Sequence, residues 1–312
     1  MNHANPHRTG EPASNVEVAL RFKKKQGTPE MPQVEQEVLA PNYDRVRGGN
    51  LHLANNARDQ GWPHPALYLR AAFPDRVDVM ERVIADGDRV GLLFRVTGTQ
   101  TGNFFGIEPT GRRVDVYEVA LLRLANGQMV EGWFMMDEAE LLRQLGSPLP
   151  PRPDGRIVAP PIPQTLSAED FVRGLEARPA ASAQDRNRLA AAKTRLSPAA
   201  REGAGQLLRH GFEHLRGWCA ARGLALDLDT AFPDRRYGID VTLAEGDEVW
   251  LRFNLRGTHR GAFCGIAPTG REVGIHGVAI LTFREGRWVD SWTFADELGL
   301  LLQLGQPNLL TG

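Results

Sequence analysis

The sequence predicts an α+β protein built from two copies of one unit, and three observations carry that reading. First, residues 98–112 read GTQTGNFFGIEPTGR and residues 257–271 read GTHRGAFCGIAPTGR, an offset of 159 residues. The offset holds without a gap from Ala72-Phe73-Pro74-Asp75, paired with Ala231-Phe232-Pro233-Asp234, to Gln144-Leu145-Gly146, paired with Gln303-Leu304-Gly305. About half of the paired positions are identical, and such a repeat has to be read before any single element. Second, each copy moves from helical periodicity upstream to period two downstream. Third, the proline-rich stretch Ser147–Pro163 separates the copies and favours extended polyproline geometry. The expected organisation is a first domain over residues 11–147, a linker over 148–164 and a second domain over 165–312. At 312 residues, each half is long enough to bury its own core.

Taken in order, residues up to about Gly10 read as a disordered lead. Ser14, with Glu17 three residues on, has capping-box spacing and predicts a helix whose apolar face is Val16, Ala19, Leu20 and Phe22. A second short helix is expected over about Met31–Leu39, broken by Pro41-Asn42-Tyr43-Asp44, with loop to His64-Pro65 and a helix over Ala66–Ala72. Period two begins at Arg76: strands flank a turn at Asp86-Gly87-Asp88, and a second hairpin, Val114–Leu124 with Gln128–Met136, turns at Ala125-Asn126-Gly127. A short terminal helix starts at Asp137. In the second half Ser167 has N-cap spacing for a helix to about Arg178. Helix is then expected from Ala183 to Arg222, interrupted at Ser197-Pro198, with Leu208, Phe212, Leu215 and Cys219 as one apolar stripe. The strands of this half are Tyr237–Leu243, Glu248–Arg256, Arg271–Phe283 and Arg287–Phe294. Each half thus becomes helices on one face of an antiparallel sheet of about four strands, an arrangement that encloses a small-ligand pocket.

The bulk properties narrow the function. A net charge of −1 gives no reason to expect nucleic acid or an anionic membrane as partner. Cys219 and Cys264 have neither metal-ligand nor disulfide-framework spacing, and Cys264, facing Phe105 in the repeat, reads as packing. His210 and His214 stand four apart without a third ligand, so no metal is expected. The opening residues MNHANPHRTGEP hold no apolar leader core, and no stretch is apolar enough to span a membrane; a cytoplasmic protein is expected.

The AFPD segment, the Gly-Asp hairpin turn, the GTxxGxFxGIxPTGR block, the tryptophan-bearing strand and the final D…LLxQLG helix resemble the SnoaL-like polyketide cyclases (ester cyclases) of the NTF2-like superfamily. The resemblance covers Ala72–Gly146 and Ala231–Gly305, and upstream it extends over Ser14–Asp44 but not over Ser167–Gly223. It implies two cone-shaped α+β barrels, fused as an intramolecular pseudo-dimer with further self-association left open. It also implies a hydrophobic small-molecule substrate and acid–base chemistry without cofactor, an intramolecular aldol closure or a related lyase or isomerase step, the alternatives being hydration or epoxide opening on the same scaffold and a non-catalytic binding or scaffolding role. By position it implies Asp290 as general acid/base with His276 beside it, their counterparts in the first copy being Glu131 and Tyr117. If Arg284-Glu285-Gly286 is a three-residue turn, Asp290 faces Ile280, and His276, Asp290, Trp292 and Phe294 share one face; a two-residue turn sends Asp290 and His276 to opposite faces. Trp288, Trp292 and Phe294 would surround the carboxyl and raise its proton affinity. Trp133, Trp292, Asp137 and Asp296 recur as Trp-x-x-x-Asp in both halves. They are candidate pocket residues, with the alternative that each aspartate caps the terminal helix.

Overall fold

The computed structural model describes residues 12–26, 28–47, 65–150, 165–196, 206–209 and 211–311. The expectations for the lead, for most of the linker, for the stretch to His64, for the break at Ser197-Pro198 and for His210 lie outside those residues. No described helix is long and apolar enough to cross a membrane.

Contacts divide the described chain into two compact units, the first ending at Met136 and the second beginning at Asp137. The first unit holds α1 (Pro12–Lys24), α2 (Met31–Val38), α3 (Pro65–Ala72) and a sheet of β1 (Leu39–Arg47), β2 (Val77–Asp86), β3 (Arg89–Thr99), β4 (Arg113–Ala125) and β5 (Gln128–Met136). The second unit holds α4 (Glu138–Leu145), α5 (Ala168–Glu176), α6 (Ala183–Lys193), α7 (Glu213–Ala220), α8 (Leu228–Ala231) and α9 (Glu297–Leu304). Its sheet is β6 (Gln206–Arg209), β7 (Arg236–Glu245), β8 (Glu248–Thr258), β9 (Glu272–Arg284) and β10 (Arg287–Ala295). Strand orders match: β1-β5-β4-β3-β2 and β6-β10-β9-β8-β7. Thus α4, which closes the first copy in sequence, makes its contacts in the second unit, where it packs on α9.

Each sheet has one strand more than expected, and the extra strand is parallel. β1 runs beside β5 with Asp44 opposite Glu131, and β6 runs beside β10 with Gln206 opposite Asp290. α2 ends at Val38, ahead of the breaker Pro41, and Pro41 then sits within β1, because an edge strand tolerates a residue without an N–H. Gln206–Arg209 was read as helix; four residues of QLLR have no periodicity that separates the two states, and pairing with β10 decides for strand. Leu208 accordingly leaves the predicted stripe and is exposed, whereas Phe212, Leu215 and Cys219 are buried. Helix α1 starts at Pro12, so Ser14 lies inside it; proline suits a first turn. The buried face of α1 is Asn15, Ala19, Phe22 and Lys23, rotated from the predicted one.

The shared sequence blocks acquire structural causes. The aspartate of each AFPD segment fastens the end of the third strand: Asp75 accepts from the Thr99 N–H at 2.6 Å and Asp234 from the Thr258 N–H at 2.8 Å. The PTGR loop is folded around one buried polar side chain. Gln100 Nε2 donates to the carbonyls of Gly102, Ile107 and Glu108 while its Oε1 accepts from Thr110. In the second unit His259 Nδ1 takes the Thr269 contacts. Arg271 Nη1 donates to the Gln303 carbonyl at the end of α9. Cys219 and Cys264 correct the sequence reading: they form a disulfide joining α7 to the second PTGR loop, with Cα atoms 5.6 Å apart.

Candidate active site

Two-residue turns with both residues left-handed, Asn126-Gly127 and Glu285-Gly286, close the last hairpin of each copy. By itself that register sends Asp290 to the wrong face, but β10 carries a bulge between Trp288 and Asp290 that shifts the phase by one. Trp288 pairs with Phe283, and beyond the bulge Asp290 pairs with Thr282, Trp292 with Ile280 and Phe294 with Val278. The expected pairing of Asp290 with Ile280 is therefore corrected by two residues, while the shared face of His276, Ile280, Asp290, Trp292 and Phe294 is retained. Copy one has the equivalent bulge, at Val130 of β5, where Met129 pairs with Leu124 and Glu131 with Arg123. His276 pairs with Asn254, six residues from Thr282, so it and Asp290 are about 20 Å apart along the strand at ~3.3 Å per residue.

The opposite face of the second sheet, the one turned to α6 and α7, encloses a cavity of about 170 Å³. Trp288, Ser291, Thr293 and Ala295 line it from β10, Phe253 and Leu255 from β8, Leu281 from β9 and Tyr237 from β7. Phe212 and the exposed Arg216 border it beside α7, and Thr194 and Arg195 follow the end of α6. Arg195 is buried with its guanidinium 4.5 Å from the Phe253 ring centre. Of the predicted residues, only Trp288 is among the lining groups; Asp290, His276, Trp292 and Phe294 lie on the other face. Burial, with the Arg252 cation nearby and Asp240 opposing, depresses the His276 imidazole to about 4, so it is neutral at physiological pH.

Directly after Ala295 comes Asp296, which caps α9 by accepting from the Gly299 N–H at 2.8 Å. Its other oxygen has no hydrogen-bond partner among the described residues. Burial pushes this carboxyl up to about 7, the Gly299 bond opposing and the Asp137 charge adding. Asp137 caps α4 in the same way, from Glu140 N–H, but its free oxygen is claimed by Arg209 at 2.6 Å and His214 at 2.9 Å. Those partners hold Asp137 below the usual carboxylate range against its burial. His214 is raised to about 9: burial works against the charge, and Asp137, Glu297 and Glu140 outweigh it. Glu297 accepts from the His214 and Leu215 N–H groups at the start of α7, and burial lifts it to about 7. The twin aspartates thus hold different proton affinities on one backbone geometry.

In the first copy Glu131 pairs with Arg123 at 3.3 Å, Tyr117 stands opposite Arg95, and Trp133 is buried. On the other face of that sheet Lys23 stands 3.0 Å from Asp78 and 3.8 Å from the Phe94 ring centre. Arg76 bonds Asp78 at 2.8 Å and approaches Glu118 at 3.9 Å. All four charged side chains are buried. Among the described residues no cluster of His, Cys, Asp and Glu has the geometry to hold a metal. Arg195, Tyr237, Ser291 and Thr293 were missed because no single-residue signal marks them. One clue stood in the repeat: the residue paired with Asp78 is Tyr237, a change of charge at an otherwise aligned strand.

Comparison with known proteins fits this architecture. The model of the family described as SnoaL-like polyketide cyclase matches residues 60–145 and again 184–304. No curated protein sequence matches. Among solved structures, a protein of Jannaschia sp. CCS1 provisionally named a SnoaL-like polyketide cyclase is 26% identical, with 48% of this chain and 99% of that one covered and a TM-score of 0.37. AclR of Streptomyces galilaeus, provisionally named a hydroxylase, is 26% identical over 44% of this chain and 83% of its own, with a TM-score of 0.38. IdmH of Streptomyces antibioticus, provisionally named a polyketide cyclase, is 23% identical over 44% and 99%, with a TM-score of 0.37. With the family model matching more than half of its residues in two segments, the chain belongs to the SnoaL-like polyketide cyclase family and carries two tandem NTF2-like units.

Proposed function

We propose that the second unit is an acid–base enzyme of the polyketide-cyclase type, closing a ring by intramolecular aldol addition or running a related lyase or isomerase step without cofactor. The supporting observation is a largely apolar cavity whose lining strand leads from Ala295 directly into a buried carboxyl, Asp296, which burial raises to about 7 although it is not itself among the lining groups. Such a carboxyl takes a proton as base and returns it as acid at one working pH. In an aldol closure Asp296 removes the proton α to a carbonyl, the new C–C bond forms, and the second carbonyl oxygen receives that proton. Arg195 and the Tyr237 hydroxyl border the space where the enolate oxygen develops, and a cation in an apolar site stabilises that charge far better than water-exposed groups do. Phe253, Leu281 and Trp288 hold the apolar body of the substrate.

The test is conversion of a synthetic aromatic tricarbonyl ester, the cyclised isomer being separated from its open-chain precursor of equal mass by chromatography. Asp296→Asn should abolish conversion beyond background while Asp290→Asn leaves it. The reverse result moves the reaction to the other face of the sheet, as family position first suggested. If both variants convert normally, the carboxyl chemistry is refuted and a non-catalytic binding role gains.

A further inference from the structure

The second unit's cavity lies where the first unit holds a side chain of its own. Phe94 and Phe253 stand at paired positions with a buried cation over each, Lys23 of α1 and Arg195 after α6, so the two interiors share one frame. Asp78 and Glu118 of the first copy are matched by Tyr237 and Gly277 in the second. Along the last strand, Gly132, Phe134 and Met136 of β5 are matched by Ser291, Thr293 and Ala295 of β10. Phe134 is 1% exposed, with Lys23 Nζ 5.9 Å and the Arg45 guanidinium 4.8 Å from its ring centre. Its ring excludes a side chain at 132, since a Cβ there would fall 2.7 Å from Phe134 Cε2. In β10 the sizes reverse: serine replaces the glycine, threonine the ring and alanine the methionine, and all three line the cavity. A Cβ on Gly211 would lie 3.2 Å from Thr293 Cγ2, so a longer side chain at 293 has to turn into the cavity.

We propose that Thr293 and Ala295 are the specificity-determining residues of the cavity, which admits a neutral aromatic ring to the place that the Phe134 ring fills in the first copy. A ring seated there against Phe253, Leu281 and Trp288 gains apolar burial and edge or face contacts. The Ser291 and Thr293 hydroxyls, two residues apart on one face of β10, each offer a donor and an acceptor to oxygen substituents on the ring. At such a wall one methylene of added bulk separates ligands by about 10- to 200-fold. This rests on the reading that the cavity is the substrate site, and a neutral ring is what an aromatic ester brings to it.

The experiment is calorimetric titration of the full chain with methyl cinnamate, which has one ring, and methyl 2-naphthoate, which has two fused rings. The native chain should bind the cinnamate ester more tightly. Thr293→Phe combined with Ser291→Gly restores the first copy's pair and should weaken methyl cinnamate by at least about tenfold. Thr293→Val, equal in shape, should hold that affinity within about fivefold, the worth of one hydrogen bond. Should the double variant fail to fold, Thr293→Ala is an independent arm: it widens the cavity and should shift the preference toward the naphthoate ester by about tenfold. No detectable binding of methyl cinnamate by the native chain, an unchanged affinity in the folded double variant, or a preference that Thr293→Ala does not move overturns the proposal. Ester binding without turnover refutes the acid–base reading alone, whereas turnover with affinities indifferent to residue 293 refutes the specificity assignment alone.

Discussion

The interiors of the two units differ in what occupies the space under the sheet. The first is filled by its own charges: Lys23, Asp78, Arg76 and Glu118, all buried and mutually bonded. The second keeps the cation over the phenylalanine but holds a tyrosine and a glycine where the carboxylates stood, and a cavity opens there. Buried charges that pair with one another leave a ligand little room, and removing one member strands another. An interior with open space against an apolar wall has room for one. Duplication therefore left one scaffold twice and allowed the interiors to part, with paired charges in one copy and a cavity in the other. The terminal aspartates part likewise: Asp137 is claimed by Arg209 and His214, whereas one oxygen of Asp296 has no hydrogen-bond partner among the described residues.

The largest effect expected along this contrast is on turnover. Asp296→Asn preserves the cap and removes the titratable proton, so it should lower the rate by about 100- to 10,000-fold, the span usual for general acid–base catalysis. Asp290→Asn should change it by less than about threefold, as expected of a group on the sheet face turned away from the cavity. A rate profile measured in the same assay should bend near pH 7 and lose that bend in the Asp296 variant. A profile unaltered by the substitution breaks the assignment.

Next in size is a stability contrast. Lys23→Met leaves Asp78 with Arg76 alone and should cost about 3–5 kcal/mol in urea unfolding, the usual penalty for breaking a buried ion pair. A cost below about 1 kcal/mol would break the reading that Lys23 holds the buried Asp78 carboxylate.

His214 comes third. Its affinity is raised from 6.5 to about 9, so its contribution is fully present below the unfolded value of 6.5 and is lost as pH rises through 9. Asp296 and Glu297, raised to about 7, act in the same direction between their unfolded values and neutrality. Urea unfolding followed by tryptophan fluorescence should show the second unit weakening by ~3 kcal/mol between pH 7 and 10, and His214→Gln should flatten most of that slope. A slope unchanged by His214→Gln would show that the charge is not held by Asp137. The smallest effect belongs to Glu131→Gln: its pair with Arg123 is partly exposed, so stability should change by less than about 1 kcal/mol and turnover not at all.

The antiparallel strands were legible because half-buried strands alternate and their turns carry Asn-Gly, Glu-Gly and Gly-Asp signals in both copies. The caps at Ser167, Asp137 and Asp296 were legible for a similar reason: a cap is a contact across three residues. β1 and β6 were not, because a parallel edge strand is defined by a partner far along the chain and leaves no local period. The bulge at Val289 was equally silent, and it decides which side chains of β10 face the cavity.

By itself, then, the sequence determined the duplication, the α+β class and the hairpins, which rest on residue spacing within a few turns or on one copy read against the other, and it pointed to the family through the resemblance of its motifs. Only the tertiary structure decided the parallel strands, the Cys219–Cys264 bond, the face on which Asp290 lies and the ring of Arg195, Tyr237 and Trp288 around a cavity. These depend on which distant groups meet after burial. That meeting is set by packing and by the need to satisfy buried charge, and neither leaves a mark at a fixed spacing along the chain.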